Sequence, residues 1–354
     1  MSIATKLAKL KTIKQDIKSA LEEKGQTPSN VFSTYANNIR AIETGGITPS
    51  GELAITENGT YDVTNYASAN VNVASSGAND LDSYIEGNLT EINSNATKIY
   101  TYCFYNNKFI TKANFPNATS IGESAFQGCY TITSINAPKI TIIPQYAFSG
   151  CGNLSEINFN SATYINNYAF QSCSKLIDIE FNNVKTINGY VFYQCMRLNS
   201  IKIPLITGIY AYSFGSCFSL KEILIEKTDS VCTLGSTNVF SNCYHILGTT
   251  NSTWNPNGLK DGYIYVPHTL LKQYKVATNW VQFKSQIIGW GDFASGDNLP
   301  NYADYNNYKT CKWYADKELT QPVYELTMTA SGEFVVDSGS ENITTAGRYY
   351  CKLD

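Results

Sequence analysis

The stretch IGESAFQGCYTITSI (residues 121–135) returns as INNYAFQSCSKLIDI (165–179), with a further copy between them. The period is 22 residues. Phe104, Phe126, Phe148, Phe170, Phe192 and Phe214 keep this interval, and Phe240 follows after 26. Five residues before the first six lie Ile99, Ile121, Ile143, Ile165, Ile187 and Ile209. Three after are Cys129, Cys151, Cys173, Cys195 and Cys217, then Cys243 beside Phe240. Six after come Ile110, Ile132, Leu154, Leu176, Leu198 and Leu220. Ile135, Ile157, Ile179, Ile201 and Ile223 stand nine after, with Ala137, Phe159, Phe181, Ile203 and Ile225 two further on. The unit reads I-x-x-x-A-F-x-x-C-x-x-L-x-x-I-x-[FI], and chance does not produce such a register over six copies.

The spacing carries the physics. The I-x-[FI] end alternates, so its apolar residues point inward from a short strand. The A-F-x-x-C-x-x-L segment has spacings of three and four, which predict a helical or 3-10 turn with one buried stripe. One copy cannot bury its own stripe, but stacked copies can, at roughly 4.8 Å per strand. Residues 99–267 are therefore expected to form a repeat solenoid with phenylalanine and cysteine ladders through its core. The small residue before Phe (Ala125, Ala147, Ala169) leaves room for the neighbouring ring. Cysteine here is a small, poorly hydrated residue suited to a buried turn.

The segments 121–135 and 165–179 resemble the BspA-like leucine-rich-repeat family of bacterial surface proteins. Residues 263–290 (YIYVPHTLLKQYKVATNWVQFKSQIIGW) resemble the ending often found on such arrays: a last strand, Pro267, then an amphipathic helix. Such a helix would cover the exposed last turn, as a solenoid cap must. The resemblance implies adhesion or ligand binding and carries no catalytic residue over.

The 354 residues suggest two or three units rather than one core. Hydrophobic residues make up 43% and charged residues 16%, which argues against wholesale disorder. The net charge of -3 argues against nucleic-acid binding, which needs a basic face. Charges interrupt every apolar run of the first 25 residues, so no signal peptide is expected there. No stretch reaches the roughly 20 apolar residues that span a bilayer.

Four parts are expected. Residues 1–45 read as a helical segment. Ile3, Leu7, Leu10, Ile17 and Leu21 occupy a/d positions, so a coiled coil over 3–21 would make a homo-oligomer. The alternative is a lone amphipathic helix packed on a second one. Residues 46–78 read as a linker and a β-hairpin module, from the alternation of 52–74 and the turn signal Asn58-Gly59. The solenoid with its cap occupies 79–290, and 291–354 read as a small β domain. The helical start followed by ENGTYDV resembles the N-terminal regions of phage and prophage tail-associated proteins of Gram-positive gut bacteria. TAGRYYCKL resembles the last strands of immunoglobulin-like domains, and CKWYADKELTQPV resembles small β repeats of surface adhesins. Cys311 and Cys351 fall outside the ladder; they would pair in an oxidising setting or remain two buried thiols.

Signs of chemistry are few. His245 and His268 have no Cys pair at zinc spacing nearby, and a ladder of 22 is not C-x-x-C. No nucleophile elbow, P-loop or dinucleotide fingerprint is present. No catalytic residue, cofactor or metal is therefore expected. Glu156, Asp178 and Glu222 share one repeat position, and Asn158, Glu180 and Lys202 share the position two further on. These six would line the outer face of the strand sheet as candidate ligand contacts. A glycosidase needs two carboxyls across a cleft, one of them desolvated, and a solvated sheet face offers neither; Ca²⁺ binding is the lesser alternative. Tyr102, Tyr146, Tyr168, Tyr190 and Tyr212 lie two before Phe and read as a structural ladder rather than a strip for sugars. Tyr302, Tyr305, Tyr308, Trp313 and Tyr314 cluster with Asn and Asp, a composition suited to a receptor tip.

The functional expectation is a non-enzymatic receptor-binding protein of a phage or prophage tail, located in the virion. It would recognise a glycan or protein on the host cell and contact other tail proteins, without nucleic acid or membrane insertion. The alternatives are a structural baseplate component and a bacterial cell-surface adhesin.

Overall fold

Each repeat forms one rung with two short strands. The triplet x-I-x gives the longer strand: Lys112–Asn114, Ser134–Asn136, Glu156–Asn158, Asp178–Glu180, Ser200–Lys202 and Glu222–Leu224. Its central residue turns inward, and the outer two face away from the core. The x-I pair five residues before Phe gives the shorter strand, as in Ile142–Ile143 and Tyr164–Ile165. Neighbouring rungs pair in parallel with like residues opposite, for example Ile135 with Ile157 and Ile143 with Ile165. The computed structural model describes residues 52–55, 68–71, 80–81, 90–303, 308–329, 331 and 333–354.

The phenylalanine column is the spine of the core. Adjacent rings stack from Phe104 to Phe240 with centroids 4.8 to 5.7 Å apart. The segment around each ring is not a 3-10 turn, which corrects the sequence reading. Residues two before and two after Phe adopt the left-handed conformation, as at Tyr168 (φ 60°) and Ser172 (φ 59°). That alternation breaks any helical run. It lets every second N–H donate to the next rung, as Phe148 N to Ala169 O at 2.8 Å, while the N–H groups between close local turns. The residue before Phe, buried at Ala125, Ala147, Ala169, Val191 and Val239 alike, offers the carbonyl that receives this rung-to-rung bond.

The cysteines have a role that spacing did not show. Each ladder thiol donates to the carbonyl of the Phe one rung earlier, as Cys173 Sγ to Phe148 O at 3.2 Å and Cys195 Sγ to Phe170 O at 3.1 Å. The thiol thus adds a second donor to a carbonyl that already accepts a backbone N–H of its own rung, as Phe148 O does from Cys151 N at 3.1 Å.

The longer strands form two sheets rather than one. Six strands end at Glu156–Asn158, and nine begin at Asp178–Glu180. The shorter strands run on across this seam, since Tyr164 pairs with both Ile142 and Thr186. A hydroxyl ladder fails at the same place. Thr111, Thr133 and Ser155 each donate a side-chain hydroxyl to the preceding rung. The next rung has Ile177, which is exposed and has no hydroxyl to offer. Replacing Ile177 with Thr is expected to close the seam and stabilise the fold by about 0.5–1.5 kcal/mol, the net value of one hydrogen bond. Urea unfolding of the variant checks this, and an unchanged or lower midpoint would contradict it.

Both ends differ from the expected modules. Glu52–Ile55 and Ser68–Val71 pair in parallel, and Ser68–Val71 pairs in parallel with Glu91–Ser94. They are early rungs of the solenoid sheet, not a hairpin, so the array begins before residue 79. Alternation reads the same in a hairpin and in a rung, so it does not distinguish the two. Residues 1–51, with the expected coiled coil, lie outside the described residues.

At the other end Tyr263–Pro267 is the last ladder strand and leads into the 3-10 helix His268–Leu270 and the helix Leu271–Val276. This cap covers the exposed end of the spine: Trp280 and Phe283 pack on Phe240 at 6.4 and 5.0 Å. Trp280 Nε1 donates to Cys232 O at 2.6 Å. No separate domain follows. Ile287–Phe293 joins Tyr263–Pro267 in parallel and Gly347–Leu353 in antiparallel, and Thr310–Tyr314, Pro322–Met328 and Phe334–Gly339 continue that sheet. Glu52–Asp354 form one compact unit, and one hydrophobic core runs through it from Ile92 to Leu353. Lys275 ties the parts together, buried, with its ammonium donating to Lys284 O and Leu353 O at 2.8 and 2.7 Å.

Candidate functional site

The outer face of the longer strands carries two columns of side chains. One holds Glu91, Lys112, Ser134 and Glu156, and the other Asn93, Asn114, Asn136 and Asn158. The asparagines form a chain of amide bonds along the solenoid. Asn114 Nδ2 donates to Asn93 Oδ1 at 3.1 Å, Asn136 to Asn114 at 2.6 Å, and Asn158 to Asn136 at 2.7 Å. Such a chain must end on an acceptor. Asn158 Oδ1 is that end, and it is buried without a hydrogen-bond partner among the described residues. A cavity of about 280 Å³ lies over both columns from Glu91 to Asn158.

The ladder stops where the sheet opens. Past the seam the asparagine column continues as Glu180, Lys202 and Leu224. There the charges satisfy one another. Lys202 pairs with Glu180 at 2.9 Å, Glu222 with Lys317, and Glu226 with Arg348 at 3.6 Å. Asp178 accepts from Ser200 Oγ at 2.6 Å and Asn199 Nδ2 at 3.2 Å. Glu156 has no such partner among the described residues, and it is exposed beside the unfilled Asn158 acceptor. The end of the ladder is therefore rigid, rich in acceptors and short of donors. It favours a ligand that brings N–H, O–H or ammonium groups.

The six sheet residues expected from the sequence, Glu156, Asn158, Asp178, Glu180, Lys202 and Glu222, do share one face. Only Glu156 and Asn158 border the cavity. Sequence reading passed over Asn93, Asn114 and Asn136, although Asn114, Asn136 and Asn158 hold one register position in three successive repeats. The tyrosine column is a stacked ladder: Tyr146, Tyr168, Tyr190 and Tyr212 lie 4.8 to 5.0 Å apart. Burial and the adjoining Tyr190 and Tyr146 rings push the Tyr168 hydroxyl above its ordinary pKa.

The aromatic cluster near the C-terminus is not a receptor tip. Trp313 is 0% exposed and Tyr314 7%, because Thr310–Tyr314 is an interior strand of the continuing sheet, and Tyr308, 8% exposed, packs into the same core just before it. Tyr302 packs inward too, with its hydroxyl 2.6 Å from His268 Nδ1. Tyr305 lies outside the described residues. Burial lowers the His268 pKa, and His245 bridges Asp261 (2.5 Å) and Trp254 O (3.1 Å) within the irregular corner. Both histidines have structural partners. Cys311 and Cys351 are free, buried thiols with sulfurs 3.7 Å apart. Among the described residues, no group of three His, Cys, Asp or Glu side chains is placed to hold a metal ion. Among the same residues, no helix is long and apolar enough to cross a membrane.

Comparison with known proteins bears on the array itself. No curated protein matches the chain. A T. pallidum leucine rich repeat protein of known structure is 26% identical, over 61% of this chain and 88% of that one, with a TM-score of 0.41. A structure described as a leucine rich cell surface protein of Faecalibacterium prausnitzii is 19% identical, with a TM-score of 0.41; 77% of this chain aligns with 54% of that one. A leucine-rich repeat protein of Bacteroides ovatus is 19% identical over 49% of this chain and 54% of its own, with a TM-score of 0.34. None of these bears on the resemblance of the N-terminal region to tail proteins. The family model of the BspA type leucine rich repeat region matches residues 97–221 in six copies, so that stretch of the array is a leucine-rich repeat region of the BspA type.

Proposed function

We propose that this protein is a non-catalytic adhesin of a bacterial cell surface that holds a macromolecular ligand along the outer face of its longer strands. One observation carries the reading: the asparagine ladder ends on an unfilled acceptor, Asn158 Oδ1, beside the unpaired Glu156 and under a cavity of about 280 Å³. An unfilled buried acceptor costs roughly 1–3 kcal/mol, which a ligand donor recovers on binding. The carboxylates lie on an open face rather than across a cleft, so they suit recognition better than acid–base catalysis. The BspA-type array supports the adhesive setting and favours it over the virion reading. Oligomerisation through residues 3–21 would multiply weak contacts.

The test is saturable binding of fluorescently labelled full chain to cells of Gram-positive gut bacteria. Glu156→Lys and Asn158→Leu are expected to weaken it at least tenfold while the circular dichroism stays unchanged. Binding that both variants retain would overturn the assignment of this face. Absence of saturable binding to every strain would overturn the adhesin reading.

A further inference from the structure

The sheet of shorter strands carries a second, different surface. Tyr210 sits at the corner after Gly208–Ile209, and its ring lies across two neighbouring rungs. A Cβ on Gly208 would meet the ring at 3.1 Å, and one on Gly235 would meet it at 2.5 Å. Glycine at both places leaves room for the ring to lie on the sheet with one face outward. Its backbone is held as well: Tyr210 N donates to Ile187 O at 3.0 Å, and its carbonyl accepts from Ser213 N at 3.2 Å. Two rungs earlier Tyr164 faces outward from the same sheet. Its hydroxyl accepts from Asn188 Nδ2 at 2.8 Å, and that amide also reaches Asn166 Oδ1 at 3.2 Å. Tyr164 is 36% exposed and Tyr210 41% exposed, so both offer surface to solvent.

We propose that Tyr164 and Tyr210, with Asn166 and Asn188 between them, form a binding platform for a neutral polysaccharide. Pyranose rings present apolar C–H faces that pack on aromatic rings, and their hydroxyls pair with amide groups. The two tyrosines sit on rungs roughly 10 Å apart, twice the inter-strand spacing, which suits contacts two sugars apart on one extended chain. Rings held by backbone bonds and by glycine lose little entropy on binding. The intervening polar groups are amides, the hydroxyl of Thr186 and the neighbouring Lys185, with no carboxylate among them, which disfavours a cationic chain. This inference rests on the reading of the protein as a binding scaffold, adds a ligand class to it, and uses the sheet away from Glu156.

Affinity electrophoresis of the full chain in native gels tests it. The gels contain barley β-glucan, arabinoxylan, glucomannan or yeast mannan, with polygalacturonate as the anionic comparison. Retardation is expected with at least one of the four neutral polymers and not with polygalacturonate. Tyr210→Ala and Tyr164→Ala are each expected to raise the apparent dissociation constant at least tenfold with unchanged circular dichroism, and Glu156→Lys to leave it unaltered. Tyr164→Phe, which keeps the ring, should retain most of the retardation. No retardation by any neutral polymer, or retardation of the two alanine variants equal to that of the unsubstituted chain, overturns the proposal. Saturable cell binding by the unsubstituted chain, with no retardation of that chain in any neutral polymer, sinks this inference and leaves the adhesin reading standing.

Discussion

Raising the pH from about 9 to about 11 is expected to unfold the array steeply, because the folded chain withholds its thiols from titration. Cys129, Cys151, Cys173, Cys195, Cys217, Cys232, Cys243 and Cys351 are all pushed above their ordinary value of 9.0 by burial, Cys129 and Cys232 to about 12. In the unfolded chain these groups lose protons near pH 9, while in the folded chain they keep them. The unfolded state then binds fewer protons, so stability falls as pH rises, by about 1.4 kcal/mol per pH unit for each thiol. Eight such groups amount to on the order of 10 kcal/mol per unit, against a typical domain stability of about 5–15 kcal/mol. Lys275 acts in the opposite sense. Burial lowers it from 10.5 to about 8, so its ammonium costs stability at neutral pH and the cost fades as pH rises through that window. It is one group against eight. Far-ultraviolet circular dichroism followed from pH 8 upward reads the transition, and a signal unchanged past pH 11 would contradict the thiol ladder.

Phe170→Ala is expected to cost about 3–5 kcal/mol, the range for removing a fully enclosed aromatic ring. Phe170 is 0% exposed and stacks between Phe148 at 5.4 Å and Phe192 at 5.6 Å, with Phe159 and Phe181 packed against it at 6.1 and 6.2 Å. Neighbouring rungs are locked by rung-to-rung backbone bonds, so they cannot slide together to fill the gap. Tyr168→Ala, in the half-buried ladder two residues away, should cost much less, about 1 kcal/mol, because its ring is only partly removed from water. Urea unfolding of the two variants side by side checks the ranking. Equal midpoints would mean that the phenylalanine column is not the spine.

Much of the fold was legible because identical side chains recur at one interval. Phe, Cys, Ile and Leu in register at 22 residues leave stacking as the one arrangement that buries every stripe. The outward face of Glu156, Asp178 and Glu222 followed from the same alternation, whereas the cap after Pro267 was expected from the resemblance of residues 263–290 to the ends of such arrays. Local geometry was less legible. The left-handed residues around each Phe, and the thiol bond to the previous Phe carbonyl, join atoms one rung apart, and spacing along the chain does not record such distances. The seam at Ile177 had a visible cause in the missing hydroxyl, yet its effect on pairing belongs to two rungs together.

The ends marked the limit of sequence reading. Residues 291–354 have the turns and alternation of a separate β domain, but those signals are local and do not say which strand a strand will pair with. Only the tertiary structure placed Gly347–Leu353 against Ile287–Phe293 and so buried Trp313 and Tyr308 instead of presenting them. The candidate sites divide in the same way. Periodicity placed Glu156 and Asn158 on one outer face. That Asn158 ends a hydrogen-bonded ladder without a donor, and that Tyr210 rests on two glycines of different rungs, depends on contacts between rungs, which only the folded stack brings together.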